Sequence, residues 1–167
     1  MIPEAAQAST LDFDCDVPPN HFSSVSSEII GSPTISGSVQ AAELRSGKNL
    51  PVAGVRLTSA DGTSRLGFQL VAASRRAKKF DIALNLIRNG KLQRQIVGQV
   101  ESRSVISFSF SLSPTGIVVL SIGENRYGAD FQPILESRAM AFCSTGQFEF
   151  TNLAFSGNAV QADNTNE

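Results

Sequence analysis

The sequence predicts an all-β protein, an antiparallel two-sheet β-sandwich of the jelly-roll kind. Three observations carry this. In residues 104–122, Ile106, Phe108, Phe110 and Leu112 alternate with Ser107, Ser109, Ser111 and Ser113. A period of two is what a strand with one buried and one wet face requires. Turn signals then recur roughly every 8–15 residues, with β-branched and aromatic runs between them. Finally, no segment carries an apolar stripe at i, i+3, i+4 and i+7, and only residues 134–140 leave room for a short helical turn.

The chain has 167 residues, 41% of them apolar, with 11 Phe. That is enough for one domain with a core of its own. The formal net charge of −1 gives no overall attraction to nucleic acid or an anionic membrane. No apolar run approaches the roughly 20 residues that span a bilayer as a helix. Residues 1–10 and 157–167 are small, polar and aperiodic and read as flexible ends, leaving 11–156 as the sandwich domain. The opening Met-Ile-Pro-Glu-Ala-Ala-Gln-Ala has neither the basic nor the apolar region of a signal peptide. An extracellular or periplasmic home is expected if a leader has been removed, and a cytoplasmic one otherwise.

The first strand is marked by Leu11, Phe13, Cys15 and Val17, with Asp12, Asp14 and Asp16 on its other face. Three carboxylates in line could hold Ca²⁺, which takes six to eight oxygen ligands. A straight strand spreads them by about 7 Å per pair, however, so a charged face that discourages edge pairing is the better reading. Residues 18–33 are rich in Ser and Pro and read as a long connection, which is uncommon unless functional or flexible. It contains His21, the only histidine, which excludes a two-histidine zinc motif. No Gly-x-Ser-x-Gly elbow accompanies it, so His21 reads as an ordinary loop histidine.

Turns follow at Ser46-Gly47-Lys48-Asn49 and Asp61-Gly62, and Phe68 and Leu70 supply core from the next strand. Arg75, Arg76, Lys78 and Lys79 put four positive charges on a connection. They could grip an anionic polysaccharide, but no aromatic residues interleave with them as in a nucleic-acid site. Phe80, Ile82, Leu84 and Leu86 then alternate up to Arg88-Asn89-Gly90, with Leu92 and Ile96 beyond. A two-residue turn would set Leu86 opposite Gln93. A three-residue loop with Gly90 left-handed would set Leu86 opposite Leu92 and Ile82 opposite Ile96, and the core requirement favours this second register. The opposite face then presents Asp81, Asn85, Gln93 and Gln95, with Gln69 beside them, whose amides suit sugar hydroxyls. Arg94 is then the misfit, pointing inward opposite Leu84: either it sits at an edge with its head in water, or the register is wrong there.

In residues 106–122 the two strands are joined by Ser113-Pro114-Thr115-Gly116, where Pro presets φ and Gly can take φ > 0. The second strand buries Val118, Leu120 and Ile122. After the Gly123-Glu124-Asn125 turn, Asn125, Arg126, Tyr127 and Asp130 gather the only Tyr with planar polar groups, the mix a sugar site uses. Ala139, Ala141 and Cys143 precede the turn at Ser144-Thr145-Gly146, and Phe148 and Phe150 open the closing strand. The two cysteines, Cys15 and Cys143, lie near opposite ends of the chain. They either close one long loop as a disulfide or remain two buried thiols.

This order resembles the concanavalin A-like lectin/glucanase superfamily, which includes laminin-G-like jelly-roll domains. The matching features are the early strand with Phe13 and the hairpin of 106–122 with its Gly123-Glu124-Asn125-Arg126-Tyr127 sequel. The closing Phe148-Glu149-Phe150-Thr151-Asn152-Leu153 run matches too, so the resemblance covers residues 11–156. It implies a glycan-handling protein. The superfamily's catalytic signatures are missing: no Glu-x-Asp occurs, and Gln95-Ile96-Val97 lacks the histidine of the lyase strand. The expectation is a non-catalytic recognition module binding a glycan or polysaccharide, with no cofactor unless Ca²⁺. A structural or protein-binding surface domain is the alternative, and a polysaccharide hydrolase or lyase the third reading. Core positions are Phe68, Leu70, Ile82, Leu86, Phe108, Phe110, Leu120, Ile122, Phe148 and Phe150.

Overall fold

A computed structural model describes residues 9–157, all of its regular elements being strands. They are β1 (Leu11–Ile30), β2 (Thr34–Leu44), β3 (Val52–Ser59), β4 (Ser64–Ala72), β5 (Lys79–Arg88), β6 (Lys91–Glu101), β7 (Ile106–Leu112), β8 (Ile117–Ile122), β9 (Asn125–Asp130) and β10 (Glu136–Ser156). Most of residues 1–10 and 157–167, read above as flexible ends, lie outside the described residues.

The organising device is the long antiparallel ribbon of β1 and β10. Residues 137–144 of β10 pair with β3, and residues 146–156 pair with β2, while β1 runs along the other edge of both halves. The ribbon thus bends once and belongs to two sheets. One sheet runs β6-β5-β4-β3-β10-β1, and the other β1-β10-β2-β7-β8-β9. The bend is built by Asn20 (φ 65°) and Thr145 (φ 56°), both left-handed, with the Asn20 amide donating to Thr145 Oγ1 at 3.1 Å. Asparagine visits this region more readily than most residues, and the Asn20 side chain also ties the bend to the β2–β3 connection, its Oδ1 accepting the Asn49 backbone amide at 2.8 Å.

Phenylalanines fill the space between the sheets. Phe68 of the first sheet meets Phe108 and Phe110 of the second at 5.5 and 6.1 Å, and Phe80 meets Phe148 at 6.1 Å. All ten core positions expected from the sequence are buried. The hairpin of β7 and β8 pairs Phe108 with Ile122 and Phe110 with Leu120, as its alternation requires. Cys15 and Cys143 are joined as a disulfide in the buried core, at the ribbon's bend.

Three expectations are corrected. Most of residues 18–33 is strand: Phe22 to Ile30 pair continuously with β10. Val25 and Ile29 face inward there, and serines fill the wet positions. Residues 136–140 open β10, with no helical turn. The β5–β6 connection is the two-residue turn, with Arg88 opposite Lys91 and both Asn89 (φ 50°) and Gly90 (φ 81°) left-handed. Such a turn matches the right-handed twist of its strands. Leu86 therefore faces Gln93 and Leu84 faces Gln95, while Leu92 and Ile96 are 60% and 52% exposed. The core requirement failed because β6 is an edge strand lying beyond the tightly packed interior.

Candidate functional site

The outer face of the first sheet is a grid that can be read from strand register. One cross-strand row runs Ser26, Met140, Arg56, Gly67, Asn85, Arg94. On one side of it lies the row Glu28, Arg138, Thr58, Arg65, Ile87, Leu92, and on the other Ser24, Phe142, Gly54, Gln69, Ala83, Ile96. The row beyond this last one, through Val52 and Val71, ends at Asp81 and Gln99, whose side chains bond at 2.8 Å.

A groove of about 240 Å³ crosses this grid, lined by Arg56, Arg65, Gly67, Gln69, Asn85 and Arg94 among others. Gly67 lines its floor, and Gly54 adjoins it in the neighbouring row between Phe142 and Gln69. A Cβ at Gly67 would run into the carbonyl oxygen of Val55, and one at Gly54 into that of Phe68. No larger residue fits either position without moving the neighbouring strand, so the middle of the grid stays low.

Polar and aromatic groups surround that floor. Arg94 Nη1 donates to Gln69 Oε1 at 2.9 Å and to Asn85 Oδ1 at 3.1 Å, tying β4, β5 and β6 together. The Arg56 guanidinium lies 5.4 Å from the centroid of the Phe142 ring, which is also 5.7 Å from that of Phe22. Phe22 is 55% exposed and forms an apolar shelf beside the ribbon's bend. Burial, and then the Arg65 charge, push the Arg56 guanidinium below its ordinary pKa. It stays cationic at neutral pH, since arginine does not deprotonate in proteins.

The residues singled out from sequence are distributed over several places. Asp81 and Asn85 lie on the grooved face. Gln93 and Gln95 lie on the opposite side of β6, which corrects their grouping with Asp81 and Asn85: the two-residue turn reverses them. There they border a cavity of about 310 Å³ with Arg88 and Asp130. Arg88 donates to the Asp130 carbonyl at 2.7 Å and stacks 4.7 Å from the Phe131 centroid, clasping β5 to the end of β9. Asn125 and Arg126 are exposed at the start of β9. Tyr127 is half-buried, its hydroxyl 2.6 Å from where a Cβ at Gly98 would stand.

Arg75, Arg76, Lys78 and Lys79 are exposed where the chain passes from β4 to β5, and the two arginines border a cavity with Arg45 and Asn49. His21 is exposed, with Nδ1 3.0 Å from the Pro19 carbonyl oxygen. The aspartates of β1 have separate partners: the Asn152 amide for Asp12, Gln147 for Asp14 and Arg45 for Asp16. Among the described residues no group of three or more His, Cys, Asp or Glu could hold a metal ion.

The sequence reading did not single out Arg56, Arg65, Phe142 or Phe22. A local signal existed for the arginines, since Arg56 stands between Val55 and Leu57, and Arg65 precedes Leu66 and Phe68, at the wet positions of alternating strands. Their convergence with Arg94 depends on cross-strand register, which no local pattern shows.

No protein-family model matches the chain, and no curated protein matches it by sequence. Solved structures do match by shape. The carbohydrate binding module CBM66 from Bacillus subtilis superposes with a TM-score of 0.54 at 8% identity, over 89% of this chain and 91% of that one. The β-glucanase of Bacillus licheniformis gives 0.55 at 12%, over 86% and 76%. The alginate lyase from Alteromonas sp. 272 gives 0.55 at 13%, over 90% and 88%. The fold is the concanavalin A-like jelly roll.

Proposed function

We propose that this protein is a non-catalytic glycan-recognition module that lays a sugar chain across the outer face of β6-β5-β4-β3-β10-β1. The observation that carries this reading is the groove itself. It combines a glycine floor, planar hydrogen-bonding groups at Gln69, Asn85 and Arg94, and an aromatic wall at Phe142 extended by Phe22. Sugar rings present apolar faces and hydroxyl edges, and sites that take them pair aromatic surface with a few convergent polar groups. The kinship in shape with a carbohydrate binding module, a glucanase and an alginate lyase supports a glycan as the ligand class.

Binding is favoured over turnover by the chemistry of the lining. None of the described groove-lining residues is a carboxylate, histidine or tyrosine. Cleaving a glycosidic bond by hydrolysis needs paired carboxyl groups, and elimination needs a base, with suitably placed pKa values. Arginine stays protonated and amides do not titrate, so this lining offers no proton shuttle.

The test is a polysaccharide array followed by calorimetry. Specific hits are expected, with Gln69→Ala and Phe22→Ala each weakening binding by about tenfold, the scale of a lost hydrogen bond or aromatic contact. Both positions are accessible enough for folding to survive. Release of reducing ends or of unsaturated sugar products would overturn the non-catalytic reading. Hits untouched by both substitutions would move the site elsewhere.

A further inference from the structure

We infer that the groove is selective for an acidic sugar chain, one that carries carboxylate or sulfate groups, and that Arg56, Arg65 and Arg94 are the residues that make it so. This rests on the reading of the same face as a glycan site.

Among the described residues, ion pairs join Arg45 to Asp16 and Glu43, and Arg138 to Glu28. Arg56, Arg65 and Arg94 form none, like the other described cations, but these three line a single groove. Arg65 sits close enough for its charge to disfavour that of Arg56. Like charges brought together without a counter-charge are a standing cost, which a bound anion would remove.

Geometry gives the same answer. In the central row Arg56 and Arg94 are three strand spacings apart, roughly 14 Å between backbones, with Gly67 and Asn85 between them. Arg65 stands diagonally next to Arg56, in the adjoining row. The Arg94 side chain reaches back across β5 to Gln69, so its cation lies over the same low floor that Arg56 and Arg65 border, and an acidic group laid on that floor would meet all three. Guanidinium groups present a planar fork that fits carboxylate and sulfate oxygens with two hydrogen bonds each.

A sugar chain suits this face better than a nucleic acid. Asp81 and Glu28 lie at the margins of the same grid, where a continuous phosphate backbone would meet them, and the whole chain carries a net charge of −1. A chain lying along the short central row avoids both.

The experiment uses the intact protein and four immobilised probes: neutral dextran, dextran sulfate, polygalacturonate and single-stranded DNA. They are joined by an array of neutral and acidic polysaccharides. Binding is expected only to carboxylated or sulfated sugars, falling as salt is raised, with the two acidic probes separating carboxylate from sulfate preference. The double variant Arg65→Gln/Arg94→Gln changes only groove-facing side chains, and its melting curve checks the fold. It should lose about ten- to hundredfold in affinity for the acidic probe, the scale of charge-assisted hydrogen bonds. Binding to neutral sugars that survives this double substitution would overturn the inference and leave the glycan reading standing. DNA as the preferred ligand would overturn both. So would an array on which no polysaccharide is held.

Discussion

At the scale of single residues, hydrogen bonding decides what each polar group can do. Arg94 shows this at the groove, where it bonds Gln69 and Asn85 at the same time and holds their amides in one orientation. Asp61 shows it at the β3–β4 turn. Its Oδ1 accepts from the Thr63 amide at 3.0 Å, from Ser59 Oγ at 2.7 Å and from Thr63 Oγ1 at 2.8 Å. These bonds, led by the Thr63 amide, hold the carboxyl below the ordinary aspartate pKa. The sign follows directly. A depressed folded-state value stabilises the turn above the unfolded-state pKa, and that contribution disappears as pH falls through the folded value. Carboxyl carbon chemical shifts should therefore place the Asp61 midpoint below that of an unstructured aspartate, and Thr63→Ala should move it upward. An unshifted midpoint would mean that the turn does not hold these bonds in solution.

At the scale of elements, the β5–β6 hairpin is the sharpest case because two registers make opposite demands on Leu92. In the observed register Leu92 is exposed on the grooved face, so Leu92→Thr should change stability by no more than about 0.5 kcal/mol. Leu86→Ala on the partner strand should cost roughly 2–5 kcal/mol, since that side chain lies in the core. Urea unfolding of the two variants checks the pair, and a large loss at Leu92 would restore the three-residue loop. Gly90→Ala should cost about 1–2 kcal/mol, because Gly90 has φ 81° and a Cβ disfavours left-handed backbone. This hairpin also marks where sequence reading stopped. Strands with both neighbours and a buried face, such as β7 and β8, were legible because alternation alone fixes which side faces in. At an edge, turn geometry outweighs apolar matching, and the Asn89-Gly90 pair had already specified the answer. The second half of β1 was hidden for another reason. Its serines look like a connection until β10 is placed alongside, and only then do Val25 and Ile29 acquire an inside.

At the scale of the whole molecule, everything depends on the ribbon shared by the two sheets. Among the described residues β1 and β10 are the only strands that pair in both, so the angle at Asn20 and Thr145 sets how the sheets face each other. The disulfide reinforces this corner. Cys15 belongs to the part of β1 in the second sheet, Cys143 to the part of β10 in the first, and 128 positions of chain separate them. Closing so long a loop removes many unfolded conformations. Cys15→Ala/Cys143→Ala should therefore lower stability by roughly 2–5 kcal/mol. For a domain of this size that corresponds to a melting temperature roughly 5–15 °C lower. Calorimetry of the oxidised, reduced and doubly substituted proteins checks this. The groove's hydrogen-bonding groups lie on β4 to β6, away from the corner, whereas its aromatic wall of Phe142 and Phe22 adjoins it, so affinity well below the melting range should fall by no more than Phe22→Ala costs while stability falls. If affinity fell further than that, the two sheets could not be separate in their roles, and the corner would be part of the binding apparatus.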